Sequence, residues 1–177
     1  MDRADFLRGL VGLTAVPLAG CSSATSPVTD LDLHPHDPGD WEVQLSNEQW
    51  RGLLSTSEYQ VMFEEGTEQP YTSPLNDEHR PGAFLCAACF VALFDAGTKY
   101  DSGTGWPSFW NPMPLRLGFQ RDLTAGFDRI EYHCARCGAH QGHVFDDGPA
   151  PTGKRYCNNG VALRFVAQGE TAPLLRN

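Results

Sequence analysis

Two cysteine pairs with identical spacing constrain this chain more than any other feature of its sequence. Cys86 and Cys89 form the first pair, Cys134 and Cys137 form the second, and two residues separate the thiols in each. One tight turn of this kind can present both thiolates to a metal ion, and two such turns complete a tetrahedral shell of four sulfurs, which suits zinc. Because four thiolates leave no coordination position open, the pattern predicts one structural zinc ion per chain, shared by two separate hairpins.

Disulfide bonds are the main alternative for these four cysteines, because an exported protein folds in an oxidising compartment. A thioredoxin-type redox site is a second alternative, but it requires a strand–helix–strand setting. The sequence contains no such pattern around either pair. The duplicated spacing therefore favours zinc over both alternatives.

The first 40 residues have the composition of a targeting segment followed by a linker. Arg3 and Arg8 stand just before a short apolar stretch, which ends in small residues before Cys21. This arrangement resembles a prokaryotic signal peptide with a lipidation site, so we expect residues 1–20 to be a signal peptide and Cys21 to be lipidated. Residues 21–40, rich in Ser, Thr, Pro and Asp, are expected to form a flexible tether. The protein would then be extracytoplasmic, with the lipid as its attachment to the membrane; an apolar tail with an incidental cysteine is the alternative.

Composition limits the rest of the chain to one acidic domain. The 177 residues are 41% hydrophobic, which suffices for one core, and we place the domain at 41–177. Acidic residues outnumber Lys plus Arg by 22 to 13, which gives a formal charge of −9. A chain without a basic patch lacks the phosphate-neutralising face of nucleic-acid-binding proteins, so we expect no nucleic-acid partner. We expect the protein to be a monomer.

Periodicity predicts a mainly β domain behind two short helices. Capping-box patterns at Ser46 and Ser55 predict two helices within Asn47–Glu65. Beyond residue 82 the apolar residues occur in short runs with period-two alternation, and no long helix separates them, so the sheets should be antiparallel. The predicted strands are Ala83–Cys86, Val91–Phe94, Leu115–Phe119, Ile130–Cys134, His143–Phe145, Arg155–Cys157 and Val161–Val166.

Cys157 is the cysteine that remains once Cys21 is assigned to lipid and the two pairs to metal. A single thiol with histidines elsewhere in the chain is a candidate nucleophile. Lys154 and Arg155 precede it, and nearby cations favour the reactive thiolate. A buried, inert cysteine is the alternative.

Several blocks of the sequence resemble the B-type methionine sulfoxide reductases. The blocks are Glu64–Pro70, Lys99–Phe109, Cys134–Pro149 and Gly153–Phe165, within a resemblance that spans about Leu45 to Val166. The resemblance implies a fold of two antiparallel sheets, the β-tent, with a structural zinc ion. It also implies reduction of the R epimer of methionine sulfoxide, a common oxidative lesion, in proteins or peptides.

The resemblance also implies roles for individual residues. Cys157 would attack the sulfoxide sulfur, and the catalytic residues beside it would be His140, His143, Asn159 and Arg155. Two histidines three residues apart can face one pocket and supply protons, although a structural role is the alternative. Arg155 would lower the pKa of the thiol. Trp106 and Phe145 would contact the substrate, with ordinary core packing as the alternative for the tryptophan.

One departure from the family pattern concerns how the enzyme is reset. Many relatives have a second cysteine where this chain has Thr104. We therefore expect a one-cysteine cycle, in which a sulfenic acid on Cys157 is reduced by a small thiol or a thioredoxin-like partner. The other function class that the sequence allows is a zinc-stapled β domain that binds a ligand without turnover. Such a domain has no need of Cys157 together with both histidines.

Overall fold

The structure is a computed structural model that describes residues 41–126 and 128–177. The predicted signal peptide, the tether and Cys21 lie outside the described residues. Within the described ranges, no helix has both the length and the apolar character needed to cross a membrane.

Two capped helices open the domain, as the sequence predicts. Helix α1 spans Asn47–Leu53 and α2 spans Thr56–Phe63. At each start a serine side chain, Ser46 or Ser55, accepts a hydrogen bond from the third helical backbone N–H, and the side chain at that position bonds back to the serine N–H. These reciprocal bonds satisfy donors that a helix start leaves free, which explains why short local signals sufficed.

Nine antiparallel strands in the described ranges form two sheets, which confirms the mainly β prediction. The strands are β1 Gly82–Cys86, β2 Ala92–Asp95, β3 Lys99–Tyr100, β4 Ser108–Phe109, β5 Leu117–Asp122, β6 Arg129–Cys134, β7 His140–Phe145, β8 Arg155–Asn158 and β9 Leu163–Ala167. The smaller sheet has the order β2-β1-β9 and the larger has the order β3-β4-β8-β7-β6-β5.

Aromatic side chains join the two sheets. Phe84 and Phe94 come from the smaller sheet, Phe109 and Tyr132 come from the larger, and all four are fully buried. Phe94 stacks on Phe109 with ring centroids 4.1 Å apart, and Phe84 meets the same ring edge-on at 5.0 Å. Burying each large side chain contributes about 2 kcal/mol, so this cluster fixes how the sheets face each other.

The last strand begins later than the sequence predicts. Alternation from Val161 suggested a strand from that residue, but Gly160–Ala162 forms a 3₁₀ turn and β9 begins at Leu163. The backbone N–H groups of Gly160 and Val161 donate to the carboxylate of Glu68 instead of a neighbouring strand. A side chain from a distant loop thus ends the ladder at this point.

Candidate active site and metal centre

The two cysteine pairs lie in matching turns, one after β1 and one after β6. The amide of Cys86 donates to Val91 and that of Phe90 donates back to Cys86; Cys134 makes the same pair of bonds with Ala139 and Gly138. Phe90 and Gly138 occupy equivalent positions with φ of 65° and 73°. The left-handed conformation explains the glycine, and the turn imposes it on Phe90 as well.

The four cysteines form one buried cluster that can hold a tetrahedral metal ion. Their sulfur atoms all lie within 4.8 Å of one another. Across the two turns, the Cys86 and Cys137 sulfurs are 3.8 Å apart and those of Cys89 and Cys134 are 3.6 Å apart. Zn–S bonds of about 2.3 Å give a tetrahedral edge of about 3.8 Å, whereas a disulfide requires about 2.05 Å. None of the five cysteines in the described part of the chain forms a disulfide bond.

Basic side chains and a tryptophan enclose these turns. Arg136 donates to Glu42 at 3.0 Å, and Arg176 donates to the carbonyl of Ala88 at 2.9 Å while its guanidinium lies 4.2 Å from the ring of Phe90. The ring of Trp41 covers Gly138 so closely that a Cβ there would lie 1.9 Å from it. Burial raises the pKa of the Cys86 thiol well above its usual value. Four thiolates at this spacing therefore need a cation between them.

A β-bulge in β7 brings the two histidines to one face of the larger sheet. Strands β6 and β7 pair Tyr132 with Gly142 and then His133 with His140, so Gln141 is an extra residue without a partner in the ladder. In a regular strand, positions three apart face opposite sides. The bulge removes that alternation, and the rings of His140 and His143 lie 5.5 Å apart.

Gln141 links the metal cluster to the strand that carries Cys157. Its side-chain amide donates to the sulfur of Cys86 at 3.5 Å. Its backbone carbonyl accepts from the backbone N–H of Asn159 at 2.8 Å and from the side-chain amide of the same residue at 3.1 Å. The bulge therefore connects one cysteine turn directly to the chain that follows Cys157.

Cys157 lies on β8, in the middle of the larger sheet. It pairs in register with Ser108 of β4 on one side and with His143 of β7 on the other. Burial raises the pKa of its thiol, and the charge of Arg155 and hydrogen bonds from Thr104 and Arg155 oppose that rise. The expected help from neighbouring cations thus comes from Arg155, but burial has the larger effect.

Arg155 is held beside Cys157 by an ion pair. Its guanidinium makes two hydrogen bonds to the carboxylate of Asp147, at 2.7 and 2.9 Å, and lies 4.2 Å from the ring centre of Phe145. Arg155 and Cys157 are two positions apart on a strand, so they face the same side of the sheet. The arginine acts on the thiol through its charge, and it also supports the Phe145 ring.

His143 is oriented by a carboxylate. Its Nε2 lies 2.8 Å from Asp122, which also accepts from Arg129 at 2.5 Å. Because a carboxylate only accepts, Nε2 carries the proton of the neutral ring, and Nδ1 holds the lone pair. Burial lowers the pKa of His143, the bond to Asp122 opposes this, and the net effect favours the neutral form.

His140 has a corresponding carboxylate partner deeper in the sheet. Its Nδ1 lies 2.7 Å from Glu131, whose other oxygen accepts from Gln120 at 2.5 Å. Burial raises the pKa of Glu131, but its bonds to His140 and Gln120 outweigh that effect and the net shift is downward. Nε2 of His140 has no hydrogen-bond partner among the described residues. With Nδ1–H on Glu131, Nε2 holds the lone pair of the neutral ring, and this atom is buried.

A loop residue that the sequence analysis did not single out, Glu68, ties the rim of the site together. Its carbonyl accepts from the indole N–H of Trp106 at 3.1 Å, and its backbone N–H donates to the side chain of Asn159 at 3.0 Å. Its carboxylate accepts from Gly160 at 2.5 Å and Val161 at 2.9 Å. Burial raises the pKa of Glu68 against the lowering effect of these two N–H groups. Its position in the block Glu64–Pro70, which resembles the family, was the one sequence signal for this role.

Cys157 and His143 line one small pocket of about 110 Å³. Its size suits one side chain rather than a large cofactor. Six of the residues that line it are Trp106, Arg129, His143, Phe145, Cys157 and Asn159. The structure thus brings most of the predicted site residues together at this pocket. His140 and Arg155 do not line it.

The residues that sequence reasoning missed are mostly polar groups that hold the histidines. They are Asp122, Arg129 and Glu131, together with Glu68. Arg129 and Glu131 alternate with Ile130 and Tyr132 along β6, so their side of the strand was recognisable as polar. Their pairing with β5 and β7 was not recognisable from that pattern.

Comparison with known proteins finds a matching family profile and relatives that share one name. The family profile described as "SelR domain" matches residues 54–167. A peptide methionine sulfoxide reductase MsrB of Methanosarcina barkeri is 46% identical over 129 residues, which are 72% of this chain and 91% of the relative. The same-named protein of Leifsonia xyli is 46% identical over 134 residues, 75% of this chain and 96% of the relative. That of Pseudomonas putida strain W619 is 50% identical over 125 residues, 70% of this chain and 94% of the relative.

The fold and the site define a class: a β domain stapled by a four-cysteine cluster, with a separate thiol in a pocket lined by histidine and tryptophan. The family profile covers most of the domain, and the relatives match nearly end to end. This chain belongs to the SelR domain family.

Proposed function

We propose that this chain reduces the R epimer of methionine sulfoxide in proteins and peptides to methionine, with Cys157 as the nucleophile. The observation that carries the proposal is the place of Cys157 in the small pocket, between His143 on the next strand and Trp106 on the rim. The reductase name of relatives at 46–50% identity supports the same reaction. A binder without turnover is not favoured, because nothing in ligand binding requires this thiol.

The reaction moves one oxygen atom and two electrons. The thiolate of Cys157 attacks the sulfoxide sulfur and forms an S–S bond while the oxygen takes up a proton. The hydroxyl group then passes to the Cys157 sulfur as the S–O and S–S bonds to the substrate sulfur break, which releases methionine and leaves Cys157 as a sulfenic acid. The sulfoxide sulfur is reduced by two electrons and Cys157 is oxidised by two. A first external thiol then forms a mixed disulfide with Cys157 and releases water, and a second thiol restores the free cysteine.

The pocket residues have separate tasks in this scheme. His143, when protonated at Nδ1, delivers a proton to the sulfoxide oxygen, and Asp122 stabilises the charged ring. The rings of Trp106 and Phe145 pack on the methyl end of the substrate. Asn159 fixes the loop after the nucleophile, Arg155 favours the thiolate, and His140 with Glu131 supports His143.

A stereochemical assay tests the reaction directly. The full chain is incubated with the separated R and S epimers of a methionine sulfoxide peptide and dithiothreitol, and methionine is quantified. We expect conversion of the R epimer only, because one fixed pocket accepts one arrangement of methyl and oxygen around sulfur. Conversion of neither epimer, or equal conversion of both, would contradict the proposal.

The recycling step is proposed to use no second cysteine of this chain. Thr104, which stands where many relatives have a cysteine, cannot form a disulfide. The other four described cysteines belong to the buried cluster. We therefore propose that a small thiol or a thioredoxin-like protein reduces the sulfenic acid directly.

Trapping the intermediate checks this cycle. The reduced full chain is treated with one equivalent of R sulfoxide and dimedone, without reductant, and is analysed by peptide mass spectrometry. We expect a dimedone adduct on Cys157, because the other four cysteines in the described part of the chain belong to the buried cluster. A disulfide between Cys157 and a cluster cysteine would show that the metal site is a redox partner and would contradict the one-cysteine cycle.

The remaining proposals concern the bound metal, the oligomeric state and the cellular location of the protein. We propose that the four-cysteine cluster holds one zinc ion, which matches its all-sulfur donors and its tetrahedral spacing. Zinc would supply folding energy and no chemistry. Export with lipidation of Cys21 and a monomeric state remain proposals that rest on the sequence pattern of residues 1–40 and on the composition of the chain.

A further inference from the structure

Two chain segments outside the sheets close the four-cysteine cluster off from solvent. Each of its four cysteines is at most 1% exposed. The segment Trp41–Val43 precedes α1, and the segment Arg176–Asn177 lies beyond β9. Both lie outside residues 54–167, which the family profile matches. The outer contacts of the cluster are therefore made in part by segments that flank the matched domain.

Arg176 binds the first cysteine turn through its backbone and its side chain. Its N–H donates to the carbonyl of Cys89 at 3.2 Å, and its guanidinium donates to the carbonyl of Ala88 at 2.9 Å. The same guanidinium lies 4.2 Å from the ring centre of Phe90, the residue that follows the turn. A planar guanidinium can donate to a carbonyl and lie over a ring at the same time. Arg176 thus fixes its segment to the first turn.

Arg136 lies inside the second cysteine turn and joins both flanking segments to it. Its guanidinium donates to the carbonyl of Arg176 at 2.5 Å, to the side chain of Asn177 at 2.6 Å and to Glu42 at 3.0 Å. Its own carbonyl accepts from the N–H of Val43 at 3.0 Å. The Arg136 side chain is buried, so its charge depends on these partners. We call these five residues the clasp.

The chain that leads to Arg176 is exposed, unlike the turns beneath it. Residues 171–175 are all exposed and belong to no helix or strand, and Leu174 is 91% exposed. Segments that bury little surface open at a lower free-energy cost than sheets and cores. A chelator has to reach the buried sulfurs before it can take a metal ion from them. Among the described residues, the Arg176 segment can give that access without opening a sheet.

We propose that the clasp controls the exchange of the metal ion held by the four cysteines, and that release begins when the Arg176 segment detaches from the first turn. The inference rests on the proposed zinc site and on no part of the proposed catalytic cycle. Arg136 and Arg176 are positioning residues and not ligands. Four thiolates around a divalent cation leave a net negative charge, and the two guanidinium groups bound at the turns oppose it.

Transfer of zinc from the full chain to a chelator tests the clasp without a measurement of turnover. The zinc-loaded protein is mixed with excess pyridylazoresorcinol, and release is followed by absorbance. Arg176→Gln removes the charge and the guanidinium plane, so we expect release to become about tenfold faster. The Tm of this zinc-loaded variant should stay within about 2 °C of the unmodified value, because the exposed segment contributes little to stability.

Arg136→Gln and the double variant test whether the two arginines act as one unit. Arg136→Gln should accelerate release at least as much as Arg176→Gln, since it detaches both flanking segments. The double variant should release zinc no faster than the faster single variant, because both substitutions break the same docking. Rates that multiply in the double variant would show two independent effects and would overturn the clasp as a unit.

Arg80→Gln is the matched control. The Arg80 guanidinium also lies near a phenylalanine ring, with its centre 5.1 Å from that of Phe165, and it donates to Glu78 at 2.6 Å. Arg80 precedes the start of β1, whereas the first cysteine turn is at the other end of that strand, so its loss should leave the release rate unchanged. Equal acceleration in Arg80→Gln would overturn the proposal.

Two further results would contradict the clasp. One is release from Arg176→Gln at the unmodified rate, and the other is an acceleration matched by an equal rise in the rate of global unfolding in denaturant. An unmodified chain purified without zinc would refute the metal site and the clasp together. Zinc-loaded variants with unchanged release rates would reject the clasp and leave the metal site standing.

Discussion

We expect Cys157→Ser to lose reductase activity on the R sulfoxide by about 10³-fold or more. A serine hydroxyl is a far weaker nucleophile than a thiolate, because it loses its proton at a much higher pH than a thiol does. Sulfur is also required to accept the sulfoxide oxygen as a sulfenic acid. Steady-state rates with dithiothreitol as reductant give the measurement.

The substitution should leave the rest of the molecule unchanged. Cys157 is only partly buried, and serine differs from it by one atom, so the metal content and the thermal midpoint should match those of the unmodified chain. Cys21→Ser, which removes a thiol outside the described residues, is the control for loss of any one cysteine and should keep full activity. Substantial turnover by a folded Cys157→Ser protein would show that another group attacks the substrate.

The second large effect is expected at the metal cluster. Cys137→Ser should reduce the bound metal from about one ion per chain to near zero, because three thiolates and a buried hydroxyl bind far more weakly than four thiolates. Losing a structural site removes folding free energy directly, so we expect Tm to fall by roughly 10–20 °C. Metal analysis by mass spectrometry and thermal denaturation measure the two outcomes.

The structure also indicates how this loss reaches the active site. Gln141 contacts the sulfur of Cys86 and binds both amides of Asn159, so a loosened cluster should disorder the chain after Cys157. Cys157→Ser provides the comparison, since it should lose activity and keep the metal. Purified protein without metal, and with disulfides joining Cys86 to Cys89 and Cys134 to Cys137, would refute the metal assignment.

Much of this arrangement was readable from the sequence because the signals are local. A capping box needs only four residues, so Ser46 and Ser55 predicted both helix starts. The cysteine spacing predicted the two turns, because a metal turn is likewise a local structure. Cys157 stood out by elimination, and the blocks around it carried the resemblance to the family that the comparisons confirm.

Other features arise only when distant segments meet. Strands β3 and β4 have two residues each, too few for any periodic signal, and exist because β8 offers a partner for Ser108–Phe109. The bulge at Gln141 is set by the register between β6 and β7, and it decides that both histidines share a face.

The sequence by itself determined the residues on which the proposed chemistry rests: the thiols that can hold a metal, the thiol proposed to react, and the histidines that accompany it. The tertiary structure alone decided the partners that set their protonation and orientation. Glu68, Asp122 and Glu131 act across strands or loops, up to 93 residues away in the case of Glu68 and Val161. Hydrogen bonds of this kind depend on register and burial, which no local pattern of residues encodes.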